Sequence, residues 1–571
     1  MRSPIRYKTF DQISFTDMLV YSNLPKHPFW SPVAEKVDFT FADSLCAFLY
    51  SGRGQHPYAP SLKLKIHLVQ VYYALSDRLA EEKVIGDLFI KRFLGLPVEF
   101  FGFDHSTIAL DRQRMGLGLF RACHLYILAQ MYSLGIWGDR DESWIMDSFP
   151  CNPGLAMVGA HRLIQQAALR VLQHLKRSYP ALYVLAQQAL LLDALATRLS
   201  SQTQKHEQLL AFSKLATQAH ALLEWFDTPD VAEKFSQWTN VSAQQKSLQL
   251  QAILRRVLSE NSRPSGPEDG SSVPLEAASP DSDVHSAGTT EPTRLSTDPT
   301  EAIAYEKIPR AERPANRIIS ASDPNARIGM KTSTKRIKGY KTQNLCTSSG
   351  VVLDVRVIPA SEHDREATFD MVHSALTFWR IRPQALLGDT CYGHGRQRTR
   401  LQSVGVEIVA PVPPAVNPTG LYPNSQFQYE RENDVYRCPN GNTSLRKKHN
   451  PKLEGTQYYF GKVCGKCPLR EECTANPSGR SVFRSDYSDV YQRASAVNAS
   501  IEGQALLRQR SRIERKNAEL KNDCGLGRPK TRSQKALGIK AILAAIVVNL
   551  KLMVRCLSTV KHGFLRRSRL A

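Results

Sequence analysis

The chain has 571 residues, 42% of them hydrophobic, with a formal net charge of +22 and a pI near 9.5. That size supports three or four domains with real cores, and the basic excess favours a polyanionic partner, nucleic acid first, over a merely soluble basic protein. A secreted or membrane-spanning chain is not expected: MRSPIRYKTF lacks the apolar core of a signal peptide, and the longest apolar run, Ala541 to Leu550, falls short of the roughly 20 residues a span needs.

In chain order, Leu62 to Leu75 has apolar residues at helical spacing, and Arg78 to Leu94 gives a second helix that Gly95-Leu96-Pro97 breaks. A third helix starts at Asp104-His105-Ser106-Thr107, capped by Asp104, Ser106 or Thr107, and carries Arg112, Gln113 and Arg114. Three short helices of this kind suit a helix-turn-helix DNA reader, with Arg112 and Arg114 as DNA contacts; a plain helical bundle is the alternative. His105 reads as a capping or packing residue.

Ser143 to Pro150 reads as a short buried strand ending in an acid, Asp147. A buried carboxylate is costly unless it is paired or bound to metal, so Asp147 is either a metal ligand or a turn aspartate. Ala160 to Glu260 predicts three to five amphipathic helices punctuated by Pro180 and Pro229, with Trp225 and Trp238 in their core. Asn261 to about Asn316 is rich in Ser, Pro, Gly and acids and reads as a disordered linker.

Beyond it, Gly339 to Leu345 and Val351 to Ile358 predict a hairpin across Ser348-Ser349-Gly350. Ser361 to Asp364 begin a helix that passes through Leu376. Ala385 to Gly388 predicts a second buried strand, ending in Asp389. Neighbouring strand ends can bring Asp147 and Asp389 together.

Four cysteines follow within a short stretch: Cys438, the pair Cys464 and Cys467 at CxxC spacing, and Cys473. In a reducing compartment such a group suits structural Zn²⁺, although Cys438 has no CxxC partner; four reduced structural cysteines are the other reading.

Near the end, RSRIERKNAELK places Arg510, Glu514 and Lys521 four and seven residues apart, on one face of a helix. Alone, this is an ordinary ion pair on a solvated helix. Yet from Ile501 to Ala571 seventeen Lys and Arg stand against four acids, the strongest basic excess of the chain. Three carboxylates can hold two divalent ions for phosphoryl transfer.

Taken together, Asp147-Ser148, Asp323-Pro324-x-Ala326-Arg327, Gly339-Tyr340, Gly388-Asp389-x-x-Tyr392 and the Arg510/Glu514/Lys521 helix resemble a DDE-type insertion-sequence transposase. The family's third-acid pattern has a Tyr where Leu507 stands, and Cys391-Tyr392 replaces its frequent Gly-Tyr pair. In that family a counterpart of His363 recurs near the core, with packing or capping as its expected role here; His394, within Gly393-His394-Gly395, is placed to approach the site.

The resemblance implies a multidomain α+β chain: an N-terminal helix-turn-helix-like domain (1–130) and an RNase H-like α/β catalytic core. The core would comprise 138–159, 317–430 and 487–571, interrupted by a helical insertion (160–260), the acidic linker (261–316) and a Cys-rich zinc-ribbon-like insertion (431–486). It implies Asp147, Asp389 and Glu514 as catalytic ligands of two Mg²⁺ or Mn²⁺ ions, and phosphate contacts from Arg510 and Lys521. The expected partners are double-stranded DNA, as terminal inverted repeats and target, and a second copy of the chain in the DNA complex. The expected location is a bacterial cytoplasm, on the nucleoid when bound to DNA. The expected activity is strand cleavage and transfer. An inactive or domesticated DNA-binding derivative, or an RNase H-like nuclease without transfer, is the alternative.

Overall fold

The computed structural model describes residues 5–51, 54–139, 141–197, 203–265, 304–332, 334–413 and 420–567, with side chains described to residue 559. Its contacts divide into two compact units, one made of residues 1–153 with 340–571 and the other of residues 154–339. The N-terminal helices share the first unit with the strands that carry the acids.

In that first unit lies a five-stranded sheet: β1 (Trp144–Cys151), β2 (Arg336–Thr347, pairing here from Tyr340 on), β3 (Val352–Pro359), β4 (Leu386–Leu387) and β5 (Ile408–Val409). Its order is β3-β2-β1-β4-β5. β2 runs antiparallel to both neighbours, with Trp144 opposite Thr347 and Cys151 opposite Tyr340. β1, β4 and β5 are parallel, Ile145 beside Leu387 and Leu387 beside Val409. Leu386, Leu387, Ile408 and Val409 are all buried, the continuous apolar run a parallel strand covered on both faces requires. This is the expected RNase H-like sheet, and the 339–345 and 351–358 strands form the expected hairpin. The helix foreseen from Ser361 starts later, at Thr368, and ends at Trp379; the segment before it folds as turns.

The N-terminal expectation needs correction in its boundaries. Arg78 to Leu94 is two helices, Asp77–Gly86 and Leu88–Leu94, because extended Asp87 caps the second by accepting the Ile90 N–H at 3.1 Å. The third helix does not stop near Arg114. It runs Ser106–Ser133, kinked at Gly116, where φ is +63°, a conformation that favours glycine.

Its second half packs on the long C-terminal helix Gln534–Arg567, which also covers β3. Residues 541–550 of that helix are all buried, so the apolar run is the expected core helix. By length and hydropathy Gln534–Thr559 could cross a membrane, but 78% of its apolar window is buried inside the protein. Asn549, wholly buried, pairs with both backbone groups of Val352: its Oδ1 accepts the N–H at 2.8 Å and its Nδ2 donates to the carbonyl at 2.9 Å. His124 Nε2 meets the same carbonyl at 3.1 Å. Helix, strand and helix thus converge on one satisfied polar point in an apolar interior.

The second unit is built on three long helices, Ala160–Ser178, Lys205–Asp227 and Val241–Asn261, with shorter ones between them, six in all among the described residues. Pro180 and Pro229 sit in first turns, where a missing N–H costs nothing. Trp225 and Trp238 are buried, as expected. Of the predicted linker, residues 266–303 lie outside the described residues; Tyr305–Lys307 pairs with Ser262–Pro264 as a small ribbon. Asp323 and Arg327 are buried in this unit, and Arg327 donates to the Ala326 carbonyl at 2.9 Å.

Burial lowers the His124 pKa from 6.5 to about 4. The unfolded chain therefore takes up this proton first, and stability present above pH 6.5 is lost as pH falls toward 4, by about 3 kcal/mol. Thermal melts should show a drop in that window that is shallower in His124→Gln; parallel pH profiles for the two proteins would refute the assignment.

Candidate active site

Two parallel strands fix the first two acids. Ile145 lies beside Leu387, and each aspartate follows two residues later, so Asp147 and Asp389 reach the same level of the sheet on neighbouring strands; Asp147 does not end its strand as expected, since β1 runs on to Cys151. Gly388 is required between strand and acid: a Cβ there would stand 2.8 Å from the Tyr392 Cβ and 3.1 Å from its ring. The turn it permits closes with Asp389 Oδ1 accepting the Cys391 N–H at 2.9 Å and its carbonyl accepting the Tyr392 N–H at 3.1 Å. Tyr392 is almost wholly buried, and its phenol is pushed well above the usual range by burial and then by Asp364, Asp147 and Asp389.

Asp147 carries the electrostatic signature of the site. Burial raises its carboxyl to about 6, and the Asp389 and Asp364 charges push the same way, against the Ser148 backbone N–H and Arg510. Two carboxylates held close on adjacent strands, one of them short of solvent, repel unless a proton or a cation intervenes. Hard oxygen donors of this kind suit Mg²⁺ or Mn²⁺.

The third-acid region arrives on helices Ile501–Gln509 and Arg512–Ala518, followed by a π-helical turn, Glu519–Asp523, in which Cys524 N–H reaches the Glu519 carbonyl at 3.1 Å. Ile513, Lys516 and Asn517 face inward. The side chain nearest Asp147 is Asn517: its Nδ2 donates to Asp147 Oδ2 at 2.8 Å, while its Oδ1 accepts from buried Asn344 Nδ2 at 2.7 Å. Glu514, one turn earlier, is exposed, with one carboxylate oxygen 4.0 Å from Arg510. Arg510 itself acts on Asp147 electrostatically. Glu514 therefore sits between two residues that reach Asp147, without a contact of its own to either aspartate. Lys521 falls in the π-helical turn, exposed, its stem packed against Gly527; the wider turn departs from the straight helix expected to Lys521.

Sequence reasoning missed Asp364. It accepts from Ser148 Oγ at 2.7 Å and pairs with Lys341, in the turns ahead of Thr368–Trp379. Its signal was available: an acid next to polar residues directly after β3. Asn517 and Asn344 carry no such signal, since neither is charged. The neighbouring His363 is exposed, which rules out the packing half of its expected packing-or-capping role. His394 lies edge-on to Tyr487 and 3.8 Å from Glu454. Leu507 is half-buried.

Elsewhere, Arg112 is committed inside the N-terminal region, forked on Asp77 at 2.5 and 3.0 Å, with Gln70 at 3.2 Å. Arg114 is exposed. Among the described residues, one group of three donors has all its ligand atoms within 4.8 Å, namely Glu81, Asp104 and His105. Its contacts are those of a helix start: Glu81 binds His105 N and Nδ1 at 3.1 and 2.7 Å, and Asp104 accepts the Ser106 N–H at 2.7 Å. His105 is thus the local capping-region residue expected.

Residues 299–550 match the family model described as transposase DDE domain, and residues 19–114 match the one described as transposase domain (DUF772). No curated protein and no solved structure matches the chain.

Two stability changes follow from this geometry. With its folded carboxyl raised above the usual 3.8 to about 6, Asp147 stabilises the metal-free fold at low pH and ceases to as pH rises through 6. Asp147→Asn should stabilise metal-free protein at pH 8 by about 1–2 kcal/mol, discounted for solvent reach, and by nothing near pH 4; an unchanged melting temperature at pH 8 would refute the raised carboxyl. Asn517→Leu keeps the volume but strips Asn344 and Asp147 of a partner, and denaturant unfolding should show a loss of about 1–3 kcal/mol.

Proposed function

Because the chain belongs to the DDE-type insertion-sequence transposases, we propose that it cuts DNA at the terminal inverted repeats of its own element and joins the freed ends to target DNA. Asp147, Asp389 and Glu514 are the acids of that reaction, and the ligands of Mg²⁺ or Mn²⁺. The observation that carries the reading is the placement of Asp147 and Asp389 at one level of adjacent parallel strands, with Asn517, one turn from Glu514, hydrogen-bonded to Asp147.

Divalent ions held by these acids would neutralise the charge that builds on the phosphate oxygens and favour the attacking and leaving oxygens. The chain's own groups do the rest. Asn517 fixes one oxygen of Asp147 by donating to it. Arg510 and Lys521 hold phosphates beside the scissile bond, where their charge adds to the positive field of the C-terminal region. In the first step a water oxygen bonds to phosphorus as the bond from phosphorus to the 3′ oxygen breaks; the water loses a proton to solvent and the departing 3′ oxygen takes one up, leaving a 3′-hydroxyl and a 5′-phosphate. In the second step that hydroxyl's oxygen bonds to a target phosphorus and loses its proton, while the target's own 3′ oxygen departs and takes up a proton. Two copies of the chain would pair the two ends, and Arg114, exposed on its helix, is available to DNA where Arg112 is held by Asp77.

The test is a cleavage and joining assay with duplexes carrying the element's ends, target plasmid and Mg²⁺ or Mn²⁺. Wild type should yield nicked ends and joined product, and Asp147→Asn, Asp389→Asn and Glu514→Gln should each abolish both. Cleavage that survives in all three would overturn the site; nicks without joined product would make the chain a nuclease.

A further inference from the structure

Between β5 and the Glu514 helices, residues 422–485 form a small body of their own, with a two-stranded ribbon, Gln428–Glu430 with Val435–Arg437, and a three-stranded sheet, Arg446–Asn450, Gly455–Tyr459 and Ser481–Ser485. Its apolar core is slight: Phe427, Tyr436, Tyr458, Phe460 and Val482, with Cys473 among them. A core so small rarely holds several short strands without a staple.

The four cysteines of this body line one cavity of about 20 Å³, walled otherwise by residues such as Phe427 and Phe460, room for a single water-sized sphere. They come from separate turns. Cys438 N–H reaches the Asn442 carbonyl, and its own carbonyl accepts the Gly441 N–H, both at 2.8 Å. Cys464 and Cys467 bracket a tight turn, their N–H to carbonyl distance 3.4 Å, and Cys473 ends the short helix Arg470–Cys473. No three of these sulfurs lie within 4.8 Å of one another, so the turns must close in on an ion to hold it.

The surroundings are arranged for negative sulfur. Gly479 has φ +91°, and a Cβ there would lie 3.2 Å from Cys464 Sγ. That close backbone approach brings the Arg480 N–H to the same sulfur at 3.4 Å. The Arg480 guanidinium stands at the cavity wall over Phe427, donating to the Cys473 carbonyl at 3.2 Å and the Tyr422 carbonyl at 2.9 Å. Its Nε is buried without a hydrogen-bond partner. Arg480 thus belongs to the cavity lining.

We propose that Cys438, Cys464, Cys467 and Cys473 bind one structural Zn²⁺ at this cavity, closing a four-thiolate site in which Arg480 offsets the net negative charge. Soft thiolates in a closed tetrahedral set select zinc and leave no open position for chemistry. Binding releases the thiol protons to solvent and draws the four turns together. The ion would tie the strand Ser481–Ser485 to the turns at Cys438 and Cys464, and so hold the sheet whose fully exposed edge, Arg446–Asn450, carries Arg446, Lys447 and Lys448.

The experiment uses the full chain, purified without chelator, with metal content measured by plasma mass spectrometry and thiol reactivity followed with and without a mercurial that displaces zinc. Wild type should hold one zinc per chain, with four thiols protected until zinc is released, and a Co²⁺-exchanged sample should show tetrahedral thiolate absorption. Cys464→Ser with Cys467→Ser should lower zinc to below about a tenth per chain, while Cys556→Ser keeps it. Zinc-free wild type with four reactive thiols, iron in place of zinc, disulfides among the four, or zinc retained by the double variant would each overturn the proposal. DNA cleavage is a separate readout, so loss of zinc and loss of the acid site are told apart.

Discussion

Two carboxylates that repel each other set the terms for the rest of this molecule. Asp147 and Asp389 emerge at one level from adjacent parallel strands, and Asp147 is buried enough for its carboxyl to rise to about 6. No fold places like charges this way for stability alone, because moving them apart would relieve the repulsion and the desolvation together. The surroundings restrain the pair without neutralising it. Asn517 and the Ser148 N–H supply neutral donors, Arg510 acts on Asp147 through space, and Lys341 is spent on Asp364. An arrangement that holds negative charge but does not cancel it has the character that the proposed divalent-ion site requires.

Asn517 shows how the third-acid helix serves the pair. The amide joins Asn344 of β2 to Asp147 of β1, so the helix is keyed to the strand register by hydrogen bonds rather than by charge. A lysine or arginine in its place would neutralise Asp147 and compete with a metal. The exposed Glu514 one turn away is carried by that docking, its own contact being with Arg510 at 4.0 Å. The π-helical turn that follows widens the helix where Lys521 leaves it, a feature common at functional sites.

The apolar strands before each acid were legible in the sequence, since Trp-Ile-Met and Ala-Leu-Leu have no other use than burial, and so was the hairpin turning at Ser348-Ser349-Gly350. Cysteine spacing was legible too, because CxxC is a local signal. What could not be read was anything depending on partners distant in the chain. Arg112 looks like a DNA contact until Asp77 is seen to take its fork. Asp364 looks like the start of a helix until Ser148 and Lys341 are seen around it. The length of the third helix was misjudged for the same reason: its second half is sustained by packing on the C-terminal helix, and a glycine with positive φ inside it reads in sequence as an end.

The way the large insertion joins the sheet explains why such a core can carry it. The chain leaves the sheet at Cys151, passes through the second unit, and returns at Tyr340, and these two residues are directly paired across β1 and β2. The insertion thus stands where a hairpin turn would otherwise connect two antiparallel neighbours. Its ends are already held together by the ladder, and loop-closure entropy grows only with the logarithm of loop length, so a whole domain costs the register little more than a long loop. The strand pairs that set the acids, Trp144 with Leu386 and Ile145 with Leu387, lie at the other end of β1 from this junction. Sequence and structure can therefore vary widely in the inserted unit while the two aspartates stay level with each other.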